Sequence, residues 1–587
     1  MSATLSAARA ANEQDESVGR GMLVDRRLAA AQGHATGPRQ TIDNPFLTFD
    51  DTRVDATTGR TELEAYVWDF CVVADLKDRY ELLRFGARLA RDKHEAMSRY
   101  ADELTEPEKK LLDKEKERET GFWKQSKFFR ATIITASLGG MIQGWTQSAN
   151  NGTAYGMPAE FGLCYLRPDC KASALWTFGM LNAIPLLSAG LFGTITADLL
   201  QENVLGRRGS VMLSCIITIA STIGASVSHN VGQLAACRAI NGIALGAKAS
   251  IIPIYSAELS PEHIRGAILA NWQLADAAGI FFGFLANLLV VLYVDDSDRS
   301  WRILTNTVLI PTFPLLIMIY LMPESPRYLM KHGKYRKALE AFEQIQTTWL
   351  LCSRDFMYAH AQLDFENEQR GERGIEMVDL NRLTSERSSL NIDLQQAEKR
   401  DDPYSYHIGV TGYFKRLVQL WENKRCRRAL LSASIAMLSQ QMTGVNTIAF
   451  LGTILWEKSF TREKPFSTYQ PPTEDYQVSV KNAKLAAIIG LAFGAANYVF
   501  GLPAYWLSDK IGRSIMLALG LPNMAWSLLV FAFLFKIDNS NVRTPCIALF
   551  AVIFVAFYAP TAGTSPFSIS AEVSYLHKNL RIATKLI

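Results

Sequence analysis

The sequence predicts an all-α membrane protein built from two parallel copies of one helical unit, with six helices in the first copy and four in the second. Three observations predict it. The chain has 587 residues, 49% of them hydrophobic, and the apolar residues gather in long blocks instead of spreading as they do in soluble domains. Two short motifs recur in the same order and orientation, as in a duplicated unit. A long basic polar stretch lies between the two copies.

The blocks near 129–147, 174–197, 210–228, 233–255, 266–294 and 302–322 each approach or exceed the roughly 20 residues that cross a bilayer as a helix. Four more lie near 429–456, 483–507, 514–536 and 545–571. Ten transmembrane helices are therefore expected. The net charge of +4 is too small to point to nucleic acid. No zinc-type cysteine spacing, phosphate-binding loop or nucleophile elbow occurs, so no enzyme site, cofactor or metal is expected.

Residues 1–128 precede the first block. The first fifty are polar, lack the apolar core of a signal peptide and cannot bury enough surface to offset the entropy of ordering. They read as disordered, and the first membrane helix then serves as the targeting signal. Residues 61–120 differ, since LEAYVWDFCVVADLKDRYELLRFGARLARDK carries helical apolar spacing and EPEKKLLDKEKERE continues it as a charged amphipathic stretch. A cytoplasmic regulatory or packing segment follows from that pattern. Cys164 and Cys170 share the loop after the first helix, where a local disulfide and free thiols are both open.

In the stretch 235–273, Arg238, Gly242 and Gly246 stand four apart on one helix face, and Gly-x-x-x-Gly spacing lets a second helix approach closely in lipid. Glu258 and Arg265 bracket the turn at Pro261, where a carboxylate and a guanidinium can pair bidentately and latch two helix ends. The polar stretch 327–428 has Lys331, Lys334, Arg336, Lys337, Lys424, Arg425, Arg427 and Arg428 crowding its two edges. Basic residues next to helix ends mark the cytoplasmic side. With six helices before this loop, the N-terminus shares that compartment. SERSSL near 385–390 reads as solvated linker, with phosphorylation the alternative.

The internal repeat is carried by Asp198 with Gly206-Arg207-Arg208, which recurs as Asp509 with Gly512-Arg513. Ser256-Ala257-Glu258-Leu259-Ser260 recurs as Ser570-Ala571-Glu572-Val573-Ser574. The two acids lie 60 residues apart in the first copy and 63 in the second. Parallel repeats about an axis along the membrane normal are one architecture of secondary transporters, with substrate held near the midplane between the halves. After Glu572 only fifteen residues remain, so the second copy is expected to be truncated. The expected divisions are 1–128, an N-terminal extension; 129–326, a six-helix bundle; 327–428, a cytoplasmic loop; 429–572, an incomplete bundle; and 573–587, a divergent tail.

These motifs, in order and at helix boundaries, resemble the sugar porter family of the major facilitator superfamily, and its fungal members most. Arg238-x-x-x-Gly242, Pro253-x-Tyr255-x-x-Glu258 with Arg265-Gly266, PESPRY at 323–328 and QQMTGVN at 440–446 join the repeated motifs in carrying the likeness over roughly 120–572. The resemblance implies a two-bundle carrier in the plasma membrane that moves a small neutral hydroxylated solute, a hexose or polyol, by alternating access. Side-chain amides, which both donate and accept, suit such a solute. By resemblance Gln273, Gln440, Gln441, Asn446 and Asn497 are substrate amides, although hydrogen bonding between helices is the alternative for any single membrane amide. Asp198, Arg207, Arg208, Glu258, Arg265, Glu324, Arg327, Asp509, Arg513 and Glu572 are implied to form a gate network, the alternative being ordinary surface pairing.

Three departures bear on mechanism. Thr146 stands where proton-coupled relatives have an aspartate, Phe567 replaces a tryptophan and keeps a stacking face without the indole donor, and the proline expected after Glu572 is missing. Arg238 thus loses its expected partner, and Lys248 and Asp276 are two further intramembrane charges. Each lies fourteen residues from the turn near 262, which at about 1.5 Å per residue puts them at similar depth. A buried ion pair is expected between them, with Asp276 as a relocated proton carrier the alternative. Thr146 favours facilitated diffusion over proton symport. A non-transporting sugar sensor or a degenerate membrane protein of the same fold is the competing function.

Overall fold

The computed structural model describes residues 44–49, 60–92, 99–100, 102–116, 122–163, 171–261, 264–294, 297–375, 418, 421, 424–460 and 474–575. The chain divides into two compact units, one of residues 1–130 with 323–408 and one of 131–322 with 409–587. Cys164, Cys170, the SERSSL stretch and the tail beyond 575 lie outside the described residues.

The first unit takes α1 (Glu62–Val73), α2 (Tyr80–Arg91) and α3 (Glu106–Lys116) from the N-terminal extension. Local chemistry starts α1: the Thr61 hydroxyl accepts from the Glu64 amide, and the Glu64 carboxylate accepts from the Thr61 amide. This is a capping box, which satisfies amides that the first helical turn leaves unpaired. Glu64 also accepts from Arg84 at 3.2 Å and Arg88 at 2.7 Å. Burial pushes its carboxyl up, but the Thr61 amide, Arg88 and Arg84 outweigh that and hold it below the usual carboxylate range.

The stretch 327–428, expected as a polar loop, supplies further helices, the first of them starting at Pro326. They are α10 (Pro326–Lys331), α11 (Tyr335–Ile345) and α12 (Trp349–Ile375), counting α4 to α9 in the membrane unit below. Tyr335, Leu339, Phe342 and Phe356 share one core with Phe70 and Leu83 of the extension. Amphipathic helices among Lys and Glu look polar in composition yet bury one face. Asn44 donates to the Ala90 and Arg91 carbonyls at 2.7 and 3.1 Å, and Phe46 beside it is fully buried.

Two predictions arise here. A Cβ on Gly86 would lie 2.6 Å from the Ser353 carbonyl carbon, so α2 and α12 touch backbone to backbone. Gly86→Leu is expected to cost about 1–3 kcal/mol, read as lost hydrogen-exchange protection over 62–91 in the full chain. Unchanged protection would contradict that packing. The second prediction concerns His360, whose Nδ1 lies 2.9 Å from the Tyr66 hydroxyl, which in turn reaches Asp364 at 3.3 Å. Burial pushes the imidazole down from 6.5 to about 3. The unfolded chain therefore binds more protons between those values, and the His360 contribution is complete above pH 6.5 and is lost as pH falls toward 3. Protection of 62–91 should drop between pH 7 and pH 5, and His360→Phe should flatten that drop.

The membrane unit begins with the first repeat: α4 (Lys127–Gly152), α5 (Ala172–Asn203), α6 (Gly206–Ser226), α7 (Val231–Leu259), α8 (Arg265–Tyr293) and α9 (Arg299–Leu321). The second repeat has α13 (Lys424–Met442), α14 (Val445–Phe460), α15 (Glu474–Gly501), α16 (Ala504–Ile511), α17 (Arg513–Leu534), α18 (Ser540–Tyr558) and α19 (Ser565–Tyr575).

Ten spans were expected, and among the described residues eight helices are long and apolar enough to cross a membrane. The first and seventh regions are helical but fall outside that set for physical reasons. Helix α4 carries Gln143, Gln147, Asn150 and Asn151. The seventh is broken between α13 and α14, where Gly444 has φ +81°, a left-handed conformation that favours glycine. The tenth region ends at Tyr558, and α19 restarts after a turn at 559–564.

Glycines set the closest crossings. A Cβ on Gly242 would meet the Pro185 carbonyl oxygen at 2.2 Å, and one on Gly246 the Ala189 carbonyl oxygen at 2.5 Å. The Gly-x-x-x-Gly spacing thus seats α7 on α5. A Cβ on Gly144 of α4 would lie 1.9 Å from the Asp276 carbonyl oxygen of α8, and one on Gly279 of α8 would lie 2.0 Å from that of Met141.

Candidate functional site

Four helices that bear the expected substrate residues pack together: α8 against α15 and α19, and α13 against α19. Gln273 of α8 is half-buried and Asn497 of α15 is buried. Gln440 of α13 is buried and donates to the Gly563 carbonyl at 3.0 Å, the turn that precedes α19. Tyr558 of α18 is buried, and its carbonyl accepts from the Gly563 amide at 2.8 Å. Phe567 is half-buried on α19. Gln441 is exposed and accepts from the half-buried Asn446, an amide pair across the Gly444 break.

The two repeats also touch at both ends of the bundle. Near one end Asn151 of α4 donates to the Ala449 carbonyl at 2.9 Å and accepts from the Thr453 amide at 2.8 Å. Phe284 of α8 lies against Gly490 and Gly494 of α15. Toward the other end Tyr505 donates to Asn271 at 2.8 Å, and Asn271 donates to Ser137. Motif matching missed Asn151, Asn271 and Tyr505. The signal available for Asn151 was a polar pair, Asn150-Asn151, inside an apolar run.

The coupling candidates are not paired as expected. The Lys248 ammonium donates to Thr218 of α6 at 2.6 Å, and Asp276 accepts from Gln147 of α4 at 3.5 Å. At 100° per residue, helix rotation decides which neighbour a side chain meets, and spacing from a turn does not fix that rotation. Arg238 donates to the Leu181 carbonyl at 3.0 Å, to Asn182 at 3.3 Å and to Thr153 at 3.2 Å, with the Met157 sulfur at 3.4 Å. All four are neutral. Thr146 spends its hydroxyl on the Ile142 carbonyl of its own helix.

Among the gate charges, the bidentate partner of Glu258 is Arg207, with both bonds at 3.1 Å. Arg207 is almost wholly buried and also pairs with Glu202 at 2.7 Å. Arg265, expected opposite Glu258, donates to the Ala257 and Ser260 carbonyls and so closes the α7 helix end. Asp198 accepts from Gln201, and Arg208 donates to the Tyr320 and Met322 carbonyls. Arg513 of the second repeat lies against Gly266 of the first. Glu324 and Arg327 belong to the other unit. The side chains of Asp509 and Glu572 lie outside the described residues. Glu202 was missed because it belongs to no repeated motif.

Two helical repeats with polar side chains converging between them define the class of membrane carriers. The description "Sugar (and other) transporter" matches residues 132–396 and 393–581, and the chain belongs to that family. It is a transporter of that family, with the all-helical fold of the major facilitator superfamily, and not an enzyme. The major myo-inositol transporter IolT of Bacillus subtilis is 26% identical over 437 residues, 74% of this chain and 76% of the relative. The arabinose-proton symporter of Escherichia coli K12 is 25% identical over 376 residues, 63% of this chain and 65% of the relative. In structure, the partially occluded inward-open xylose transporter XylE of E. coli aligns with a TM-score of 0.54 at 19% identity, covering 78% of this chain and 88% of XylE. These relatives are bacterial, and they lend no support to a specifically fungal likeness.

Proposed function

We propose that the chain carries a small neutral sugar or polyol by alternating access, through a site walled by the amides Gln273, Gln440 and Asn497, and that it does so by facilitated diffusion. The observation that carries the facilitative part is the neutral surroundings of Arg238 together with the helix-internal bond of Thr146. Among the described residues no carboxylate stands there to take and release a proton against the guanidinium. The neutral amides suit a solute with many hydroxyls and no charge, as the inositol and arabinose relatives suggest. The Arg207–Glu258–Glu202 cluster serves as a gate latch. The N-terminus faces the cytoplasm, in keeping with the basic residues at the two edges of 327–428, and the membrane is the plasma membrane.

A non-transporting sugar sensor is the second reading, favoured by the shared core of the N-terminal extension and the central helices. Radiolabelled uptake in a transport-null cell separates the two. The carrier reading expects flux, and Gln440→Ala should raise the KM about tenfold, as loss of a substrate hydrogen bond in a buried site does. Binding without flux would establish the sensor.

A further inference from the structure

Resting on the polyol-carrier reading, we infer that Gln147 and Asp276 form the first repeat's substrate-reading pair, recognising two adjacent hydroxyls of the solute. Asp276 lies three residues beyond Gln273 on α8, so the two are neighbours on the helix surface. Its hydrogen-bond partner among the described residues is the Gln147 amide nitrogen, at the long distance of 3.5 Å. Lys248 is turned to Thr218 and Arg238 to its neutral set. Asp276 is only 5% exposed. A carboxylate offers about four acceptor positions, and one long bond leaves most of them available to hydroxyl donors.

The surroundings suit a hydroxylated occupant. Gln143, Gln147 and Asn150 follow one another at i, i+4 and i+7 on α4 and are all partly accessible, whereas Trp145, Thr146, Ser148 and Ala149 between them are buried. An amide stripe therefore flanks the face of α4 that meets α8, and its Gln147 reaches Asp276. The backbone contact at Gly144 and the Asp276 carbonyl holds Gln147 across Asp276. The second repeat reaches α8 through α15 and α19. Two adjacent hydroxyls would donate to the two carboxylate oxygens while the Gln147 amide, released from its long bond, donates to a solute oxygen. The pair thus selects neutral polyols with a vicinal diol.

The test compares uptake of myo-inositol with that of its singly deoxygenated analogues by the full chain in a transport-null cell, using wild type, Gln147→Ala, Asp276→Asn and Asp276→Glu. A site built to bond a hydroxyl rejects the analogue lacking it. Asp276→Asn and Gln147→Ala should raise the KM for myo-inositol at least about tenfold while leaving the KM for the analogue missing the recognised hydroxyl within about twofold, so that discrimination disappears. Asp276→Glu should restore part of it. Equal losses for both solutes, with a lowered melting temperature of the purified variant, would overturn the pair as a merely structural contact. So would unchanged discrimination, or a change confined to protonophore sensitivity. Wild type that neither binds nor moves myo-inositol or any analogue would overturn the polyol reading itself, a result distinct from flux with unaltered selectivity.

Discussion

Arg207→Ala should abolish uptake and lower stability by about 3–5 kcal/mol, the usual cost of stripping one partner from a buried ion pair. Arg207 is 1% exposed and faces Glu258 through two bonds and Glu202 through a third contact. Without the guanidinium, two carboxylates are left against each other near the end of the α6 and α7 pair. Glu258→Gln should do less harm, because Glu202 still neutralises the arginine. Arg207→Lys should fall between them, since an ammonium cannot reproduce the planar fork. Melting temperature in detergent and initial uptake rate check the order. If Arg207→Ala melted and transported like wild type, the cluster would be surface decoration.

Gly144→Leu should prevent folding of the membrane unit. A side chain there must pass through the Asp276 carbonyl oxygen, 1.9 Å from the Cβ position, and Gly279 meets the Met141 backbone just as closely from the other helix. The contact is backbone on backbone, so no rotamer change relieves it. Close approach through small residues is how membrane helices gain packing energy, because lipid supplies no hydrophobic drive between them. Gly179→Leu is the control, with nothing within 4 Å of its Cβ position. Size-exclusion profiles should show a lost monodisperse peak for the first variant and a wild-type peak for the second. Matching profiles would contradict the α4–α8 crossing.

How much was legible in the sequence follows from the kind of signal each feature leaves. Spans such as α8 were legible because a run of some 20 apolar residues has few other uses. The repeated Asp and Gly-Arg motifs likewise exposed the duplication. The partner of Glu258 was not legible, since the sequence offers Arg265 seven residues on whereas the fold brings Arg207 from 51 residues back. The central helices escaped because their core partners, Phe70 and Leu83, lie more than 250 residues away in the chain. Lys248 and Asp276 meet different neighbours, Thr218 and Gln147, because helix rotation is fixed by packing and not by spacing alone. Gln273, Gln440 and Asn497 could be located by motif, while the Gln440 bond to Gly563 depends on a turn that hydropathy had merged into one long span.

The most direct test of a facilitative, amide-lined carrier is the accumulation ratio of labelled myo-inositol or arabinose, measured to equilibrium in cells expressing the chain, with and without a protonophore. The account predicts that internal solute rises to the external concentration and stops, with the protonophore changing neither rate nor endpoint. Uphill accumulation that collapses when the proton gradient is removed would contradict it.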